Sequence, residues 1–300
     1  MMASVRRLSG LLAAAFVALL VSVPAHAACN GALTAGTPPS VSYDPFSGEA
    51  TVTATVTTNR TGSCAPGLNI TGSGTSPNRV VTSSGSTLAY TINNPGGSIY
   101  QNSSTAFLGI TSANNQSVQQ TLTFKIAASQ VVNAGTYTDT ITIRFVDNGT
   151  LMSAQSGQVT TLTMLVTVTV PSKSQVNIAG SSGTFGTFAI TTLDFGELAQ
   201  NAVRNAFVQV RSTAAVSITV TSVNSGSLKR IGTTFQSTVA YSLSLNSTAL
   251  NLSTGPKSIN VNPARTIDGT NLPLAITLTG ATTGLPAGTY QDVLTVDVVP

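Results

Sequence analysis

The chain has 300 residues, of which 41% are apolar and only 7% are Asp, Glu, Lys or Arg, against roughly 25% charged residues in ordinary soluble proteins. That much apolar side chain excludes an intrinsically disordered polymer. The prominence of Thr, Ser, Val, Asn and Gly indicates an all-β protein with many turns, long enough for two domains. The formal charge of +4 includes Arg6 and Arg7; without them 11 cationic side chains stand against 9 anionic ones, a net +2 with no basic cluster, so no nucleic-acid partner is expected.

The first 27 residues have the layout of a secretory signal. Arg6 and Arg7 form a positive start, Leu11–Val23 an apolar stretch, and Ala25-His26-Ala27 a small-residue cleavage site. His26 stands where a lipobox ahead of Cys29 requires an aliphatic residue. After the first 25 residues no apolar run is long enough to span a bilayer. The mature chain is therefore expected to begin at Ala28 and to be exported without a membrane anchor. Its two cysteines, Cys29 and Cys64, form an even pair, which an oxidising compartment turns into a disulfide.

Residues 28–40 show no strand alternation. Val41–Phe46 (VSYDPF), Thr51–Thr57, Leu68–Ile70 and Leu88–Ile92 are short strand candidates. A long loop, about 93–116, carries Tyr100, Phe107, Leu108 and Ile110 before the strand Leu122–Ile126. Ala134-Gly135-Thr136-Tyr137 opens a strand running to Val146, and Asp147-Asn148-Gly149 is a hairpin turn signal. Thr160–Val170 follows, with Leu162, Met164, Val166, Val168 and Val170 at every second position and threonines filling most of the places between. This is the pattern of a strand with one buried face, and Pro171 ends it.

From Gln175 the series repeats. Leu193-Asp194-Phe195-Gly196 answers Val41-Ser42-Tyr43-Asp44, and Phe207–Arg211 answers the Val52–Val56 strand. Tyr241 answers Tyr90 at an offset of 151, Leu274–Leu278 answers Leu122–Ile126 at 152, and Ala287–Tyr290 with Asp292 answers Ala134–Tyr137 with Asp139 at 153. So slow a drift indicates a tandem duplication. The expected organisation is a signal over 1–27, a first domain over 28–171, a linker over 172–174 and a second domain over 175–300. Seven or so short strands per half, separated by Gly, Asn and Pro turns, indicate two tandem immunoglobulin-like β-sandwiches.

The halves differ in one respect. Adding 153 to Thr160–Val170 gives 313–323, beyond Pro300. The second sandwich is therefore expected to lack its last strand, leaving an open core and an unpaired edge. A neighbouring protein can supply that strand by donor-strand complementation. The alternative is a smaller complete sandwich, or one filled by its own first strand.

The YDPF of the first half, the LDFG of the second and the AGTYxD closing both resemble the spore coat protein U domain family. That resemblance implies incomplete sandwiches assembled into archaic (Csu-type) chaperone–usher pili. It implies a periplasmic chaperone, an outer-membrane usher and the next pilin subunit as partners. A two-domain member is similar to the tip adhesin of such a pilus, with an N-terminal adhesin-like domain and a C-terminal pilin-like domain that accepts the donor strand. The second half has no cysteines and so lacks the disulfide usual in the family's pilin domains. The residues agree with the end position on their own account: the stretch between the cleavage point and the first strand has no alternating segment to donate.

Catalytic chemistry is not expected. The only histidine, His26, leaves with the signal, which excludes Ser-His-Asp and Cys-His arrangements. No local spacing singles out a glycosidase pair among Asp44, Glu49, Asp147, Glu197 and Asp268. Two cysteines are too few for a structural zinc site, and no cofactor is implied. The repeated tyrosines, Tyr90/Tyr241 and Tyr137/Tyr290, are expected in core or corner positions. For attachment to an abiotic or host surface and biofilm formation, the candidates are Leu151 and Met152 on the loop before Thr160, joined by Tyr100, Phe107 and Leu108 from the long loop. The competing reading folds these side chains back onto the sandwich. The alternative functions are a structural, spore-coat-like or non-adhesive pilus subunit, and a secreted carbohydrate-binding sandwich; the chain has no Trp to favour the last.

Overall fold

The protein is seen here in a computed structural model, which describes residues 29–154, 158–232 and 237–300. The expected signal and part of the loop before Thr160 lie outside the described residues. The first half forms β1 (Asn30–Ala35), β2 (Ser40–Ser42), β3 (Ala50–Thr61), β4 (Pro66–Thr71), β5 (Arg79–Ser83), β6 (Ser86–Asn93), β7 (Leu108–Gly109), β8 (Ser117–Ile126), β9 (Gly135–Asp147), β10 (Thr150–Leu151) and β11 (Thr161–Val170). The second forms β12 (Ser174–Ala179), β13 (Val203–Ser212), β14 (Val216–Ser222), β15 (Ser227–Arg230), β16 (Thr238–Leu245), β17 (Thr248–Leu250), β18 (Lys257–Val261), β19 (Thr270–Leu278), β20 (Tyr290–Gln291) and β21 (Leu294–Val299). The chain is all-β, two immunoglobulin-like sandwiches in tandem, each with its own apolar core.

In the first sandwich the strands run β1-β3-β8-β6-β5-β9-β11-β2, with β4 and β10 attached beside β9 and β7 beside β4. The sheet curls over so that the inward residues of β3, β6 and β8 face those of β4, β9 and β11. In the second, β12-β13-β19-β16-β15-β20 is one sheet and β18-β14-β21 the other. The hairpin between β9 and β10 turns at Asn148 (φ 47°) and Gly149 (φ 84°). Two successive positive φ values match the right-handed twist of the flanking strands, the geometry that Asn-Gly supplies at low cost.

Two strands escape the alternation rule. Residues 28–40 contain β1, which pairs with β3 along its whole length, Asn30↔Thr61 to Ala35↔Val56. Its period is broken because Gly31 lies under the Phe145 ring, where any Cβ would overlap the aromatic carbons. Strand β5 contains Arg79, whose fully buried guanidinium donates to the carbonyls of Ile70, Tyr100 and Gln101. Cys29, just ahead of β1, is joined to Cys64 with a Cα–Cα distance of 5.8 Å. On the loop-entropy account, closing 35 residues contributes about 4 kcal/mol.

The repeated motif residues are structural. Tyr137 donates to the Asn133 carbonyl at 2.7 Å and Tyr290 to the Pro286 carbonyl at 3.0 Å, the same corner four residues upstream. Tyr90 donates to Asp139 at 2.7 Å and Tyr241 to Asp292 at 2.6 Å. Burial, and then these carboxylates, push both phenols well above the ordinary tyrosine range, so they stay protonated donors.

The junction between the halves is a set of specific contacts. The linker Pro171-Ser172-Lys173 lies against Thr213, whose hydroxyl donates to the Pro171 carbonyl at 2.8 Å and whose amide donates to the Lys173 carbonyl at 2.9 Å. Lys173 pairs with Asp44 of the first domain. Burial alone would raise the Asp44 carboxyl, but the Lys173 ammonium and the Phe46 amide outweigh it and hold the group below its usual value. The Arg211 guanidinium lies between the Phe46 and Phe185 rings, 4.9 and 4.3 Å from their centroids. The Ala134 amide donates to the Thr213 carbonyl at 2.7 Å, and Arg265 donates to the Asn133 side chain at 2.8 Å.

Candidate strand-acceptor site

Strand β11 shows what completes a sandwich of this kind. It pairs antiparallel with β9 from Thr161↔Arg144 to Val170↔Gly135, and parallel with β2 from Thr167↔Ser40 to Thr169↔Ser42. Met164, Val166, Val168 and Val170 are buried, and Leu162 packs half-buried against the same core. Under this cover every inward residue of β9 is shut off: Tyr137, Asp139, Ile141, Ile143 and Phe145 are between 0% and 5% exposed.

The repeat places Tyr290, Asp292, Leu294, Val296 and Val298 at the equivalent positions of the second sandwich. All five are only half-buried. Among the described residues β21 pairs with β14 alone, so its outer edge has no ladder partner. Two further differences have the same cause. The stretch corresponding to β9 is split at Asp292-Val293 into β20, which pairs with β15, and β21, which pairs with β14. No continuous neighbour holds it straight as β11 holds β9. The counterpart of β2, around Leu193–Phe195, forms no strand, whereas Tyr43 beside β2 donates its amide to the Thr169 carbonyl of β11. A parallel edge strand needs the strand beside it.

The open region is a groove. Beside the free edge of β21, Ile178 of β12, Leu193 and Phe195 are half-buried against the same core, and Val176 of β12 is 38% exposed. One end is closed by the Ser174 hydroxyl, which donates to the Val298 carbonyl at 3.1 Å. Asp292 is the second position of the row. Its carboxylate accepts from Tyr241, from the Ser222 hydroxyl at 2.6 Å and from the Asn224 amide at 2.9 Å, so its charge is already satisfied before anything enters. The groove therefore offers apolar floor and unpaired backbone, and its chemistry is that of β-strand addition. The sequence singled out Leu162–Val170 as the cis strand, but the acceptor row itself was not named, because half-burial has no signature in residue type.

The surface candidates divide. Leu151 is 50% and Phe107 39% exposed. They share one pole, since the Phe107 ring lies against Gly149 in the β9–β10 hairpin that carries Leu151. Met152 and Tyr100 are 5% and 3% exposed and belong to the core, a correction to their expected place on the surface. The Met152 amide donates to the Phe145 carbonyl, which draws its side chain inward. Tyr100 is held by its amide on Ile92 and by Arg79 on its carbonyl, and burial pushes its phenol up to about 12. Leu108 is half-buried, because β7 pairs with β4.

Residues 16–144 match the family model of the Spore Coat Protein U domain. The match does not extend over 175–300. No curated protein matches the chain. Among solved structures, the chain is similar to the chaperone–tip subunit pre-assembly complex of the archaic Csu pili of Acinetobacter baumannii, at 12% identity over 88% of this chain and 99% of that one, with a TM-score of 0.39. It is also similar to the CupB6 tip adhesin of Pseudomonas aeruginosa, at 11% identity over 89% and 94% of the two chains, TM-score 0.38. The adhesive subunit of CFA/I fimbria from enterotoxigenic Escherichia coli matches at 12% over 89% and 94%, TM-score 0.38.

Proposed function

We propose that this chain is a non-enzymatic subunit at the tip of a chaperone–usher pilus, exported through the periplasm and displayed at the cell surface. Its second domain, 175–300, acts as the pilin that accepts a donor strand, first from a periplasmic chaperone and then, at an outer-membrane usher, from the next subunit. The observation that carries this reading is the half-exposed row Tyr290, Asp292, Leu294, Val296 and Val298, set against the shut row beneath β11. By the register of the first domain, the incoming strand runs antiparallel to β21. It places an apolar side chain opposite each of Val296, Leu294, Asp292, Tyr290 and Gly288, as Leu162 to Val170 do opposite Ile143 to Gly135. The first domain is complete in cis and accepts no such strand, which suits it to the end of a fibre.

The free pole of the first domain then faces outward, and it carries Phe107 and Leu151. These two side chains are the surface-binding site in this reading, with abiotic or host surfaces and biofilm as the setting. Replacing both, Phe107→Ser with Leu151→Ser, is expected to leave folding and incorporation into fibres unchanged. Attachment of the piliated cells to a hydrophobic surface should fall about tenfold, the scale of losing one to two kcal/mol of exposed apolar contact. Undiminished attachment by normally piliated cells would favour a structural, non-adhesive subunit. Met152→Ser serves as a contrast, since removing a buried side chain should destabilise the domain by ~2–5 kcal/mol.

A further inference from the structure

The internal repeat makes the junction between the two domains a template for a contact outside the chain. At the first domain's lower pole, β11 leaves the groove at Val170, passes through Pro171-Ser172-Lys173 and enters β12, the first strand of the next sandwich. The receiving surface is the tyrosine corner, Asn133-Ala134, and the turn at Asp44, whose side chain accepts from the Phe46 amide two residues on at 3.0 Å. The second domain repeats this pole. Its corner is Pro286-Ala287, closed by Tyr290. Its turn is Asp194, whose side chain accepts from the Gly196 amide two residues on at 2.8 Å. The turn geometry thus aligns Asp194 with Asp44, two places from the alignment read in the sequence. Asp194 is exposed, and among the described residues no cation lies within ion-pairing distance.

This pole is the far one. Arg204, at the start of β13, donates to the Asp194 carbonyl at 2.7 Å, whereas Arg211, at its other end, stacks on Phe46 of the first domain. A strand of that length separates its ends by roughly 30 Å. A strand filling the second groove in the β11 register ends at Gly288, beside this pole, as Val170 ends at Gly135.

We infer that the pole formed by Asp194 and the Pro286–Gly288 corner receives the next subunit as the first domain receives the second. The partner is another β-sandwich whose donor strand is joined to its own first strand by a linker of about three residues. That linker carries a Lys or Arg which pairs with Asp194 as Lys173 pairs with Asp44. The inference rests on the strand-acceptor reading and adds to it where the donor's continuation docks and what charge it carries.

The test uses the full chain and a peptide copying its residues 161–173, with Lys173→Cys activated as a mixed disulfide with thionitrobenzoate. Attack by a chain thiolate forms the peptide–chain disulfide and releases thionitrobenzoate, so no external oxidant is needed. Asp194→Cys is compared with Asp268→Cys, an exposed site at the opposite pole beside the Ile267 carbonyl that holds Arg211. Peptide binding is read separately by the anisotropy of an N-terminal label. With the peptide bound, the chain carrying Asp194→Cys should exchange about a hundredfold faster than the one carrying Asp268→Cys, because binding holds the thiol at millimolar effective concentration. Binding with equal rates would overturn the docking inference and leave the groove intact. No binding at all would overturn the groove reading and the docking inference with it.

Discussion

Heating the refolded full chain should give two transitions, the lower one from the second domain. Appending a copy of residues 148–170 after Pro300 should raise that lower transition alone. In the first domain the same hairpin and strand fold back from β9 onto its free edge, so the fusion restores to β21 the neighbour that β9 already has. Five apolar side chains would enter the groove, each contributing about 1.5–3 kcal/mol when fully buried. Even a third of that gross gain, after the ordering entropy of the new strand, corresponds to a rise of about 20 °C for a domain of this size. Calorimetry checks it. A second domain already melting as high as the first, and unmoved by the appended strand, would mean that its sandwich is complete.

The second large effect concerns the first domain. Val166→Asp with Val168→Asp puts two carboxylates where side chains are 2% and 1% exposed. The residues directly opposite offer no cation, Val166 facing Asp139 and Val168 facing Tyr137, and the buried Arg79 beside Asp139 is already engaged by the carbonyls of Ile70, Tyr100 and Gln101. Buried charges without partners should cost more than about 5 kcal/mol together, enough to unfold the domain. Loss of the upper transition and of near-ultraviolet circular dichroism would report it. Leu165→Asp, on the outward face of the same strand at 48% exposure, should change stability by less than ~0.5 kcal/mol. A double variant that melts like the native chain would show that β11 is not a core strand.

These effects were legible in the sequence to different degrees. The alternation of Leu162 to Val170 announced a strand with one buried face, and the structure buries its central positions. The slowly drifting spacing of Tyr90, Tyr137 and Asp139 against Tyr241, Tyr290 and Asp292 announced the repeat, and the hydrogen bonds among them explain why those residues recur together. Strand β1 was invisible because its period is interrupted by Gly31, a residue chosen by the distant Phe145. Strand β5 was hidden by Arg79, which reads as a surface residue until its carbonyl partners are known. Met152 and Tyr100 are apolar or aromatic residues in loops, and residue type alone does not distinguish a loop side chain that covers the core from one that faces water. The junction was equally unreadable, since Lys173 with Asp44 and Arg211 with Phe46 are brought together only by the packing of the two domains.

In the proposed function, the edge of β21 is a vacant strand position in an otherwise finished sandwich. Hydrogen–deuterium exchange on the full chain, with and without a peptide copying residues 161–170, measures this residue by residue. Slow exchange is expected throughout β9, flanked by β4 and β11, in both samples. Amides of Leu294–Val299 facing away from β14 should exchange within the fast class in the free chain and become protected when the peptide is added. Equal protection of β9 and β21 in the free chain, unchanged by the peptide, would contradict it.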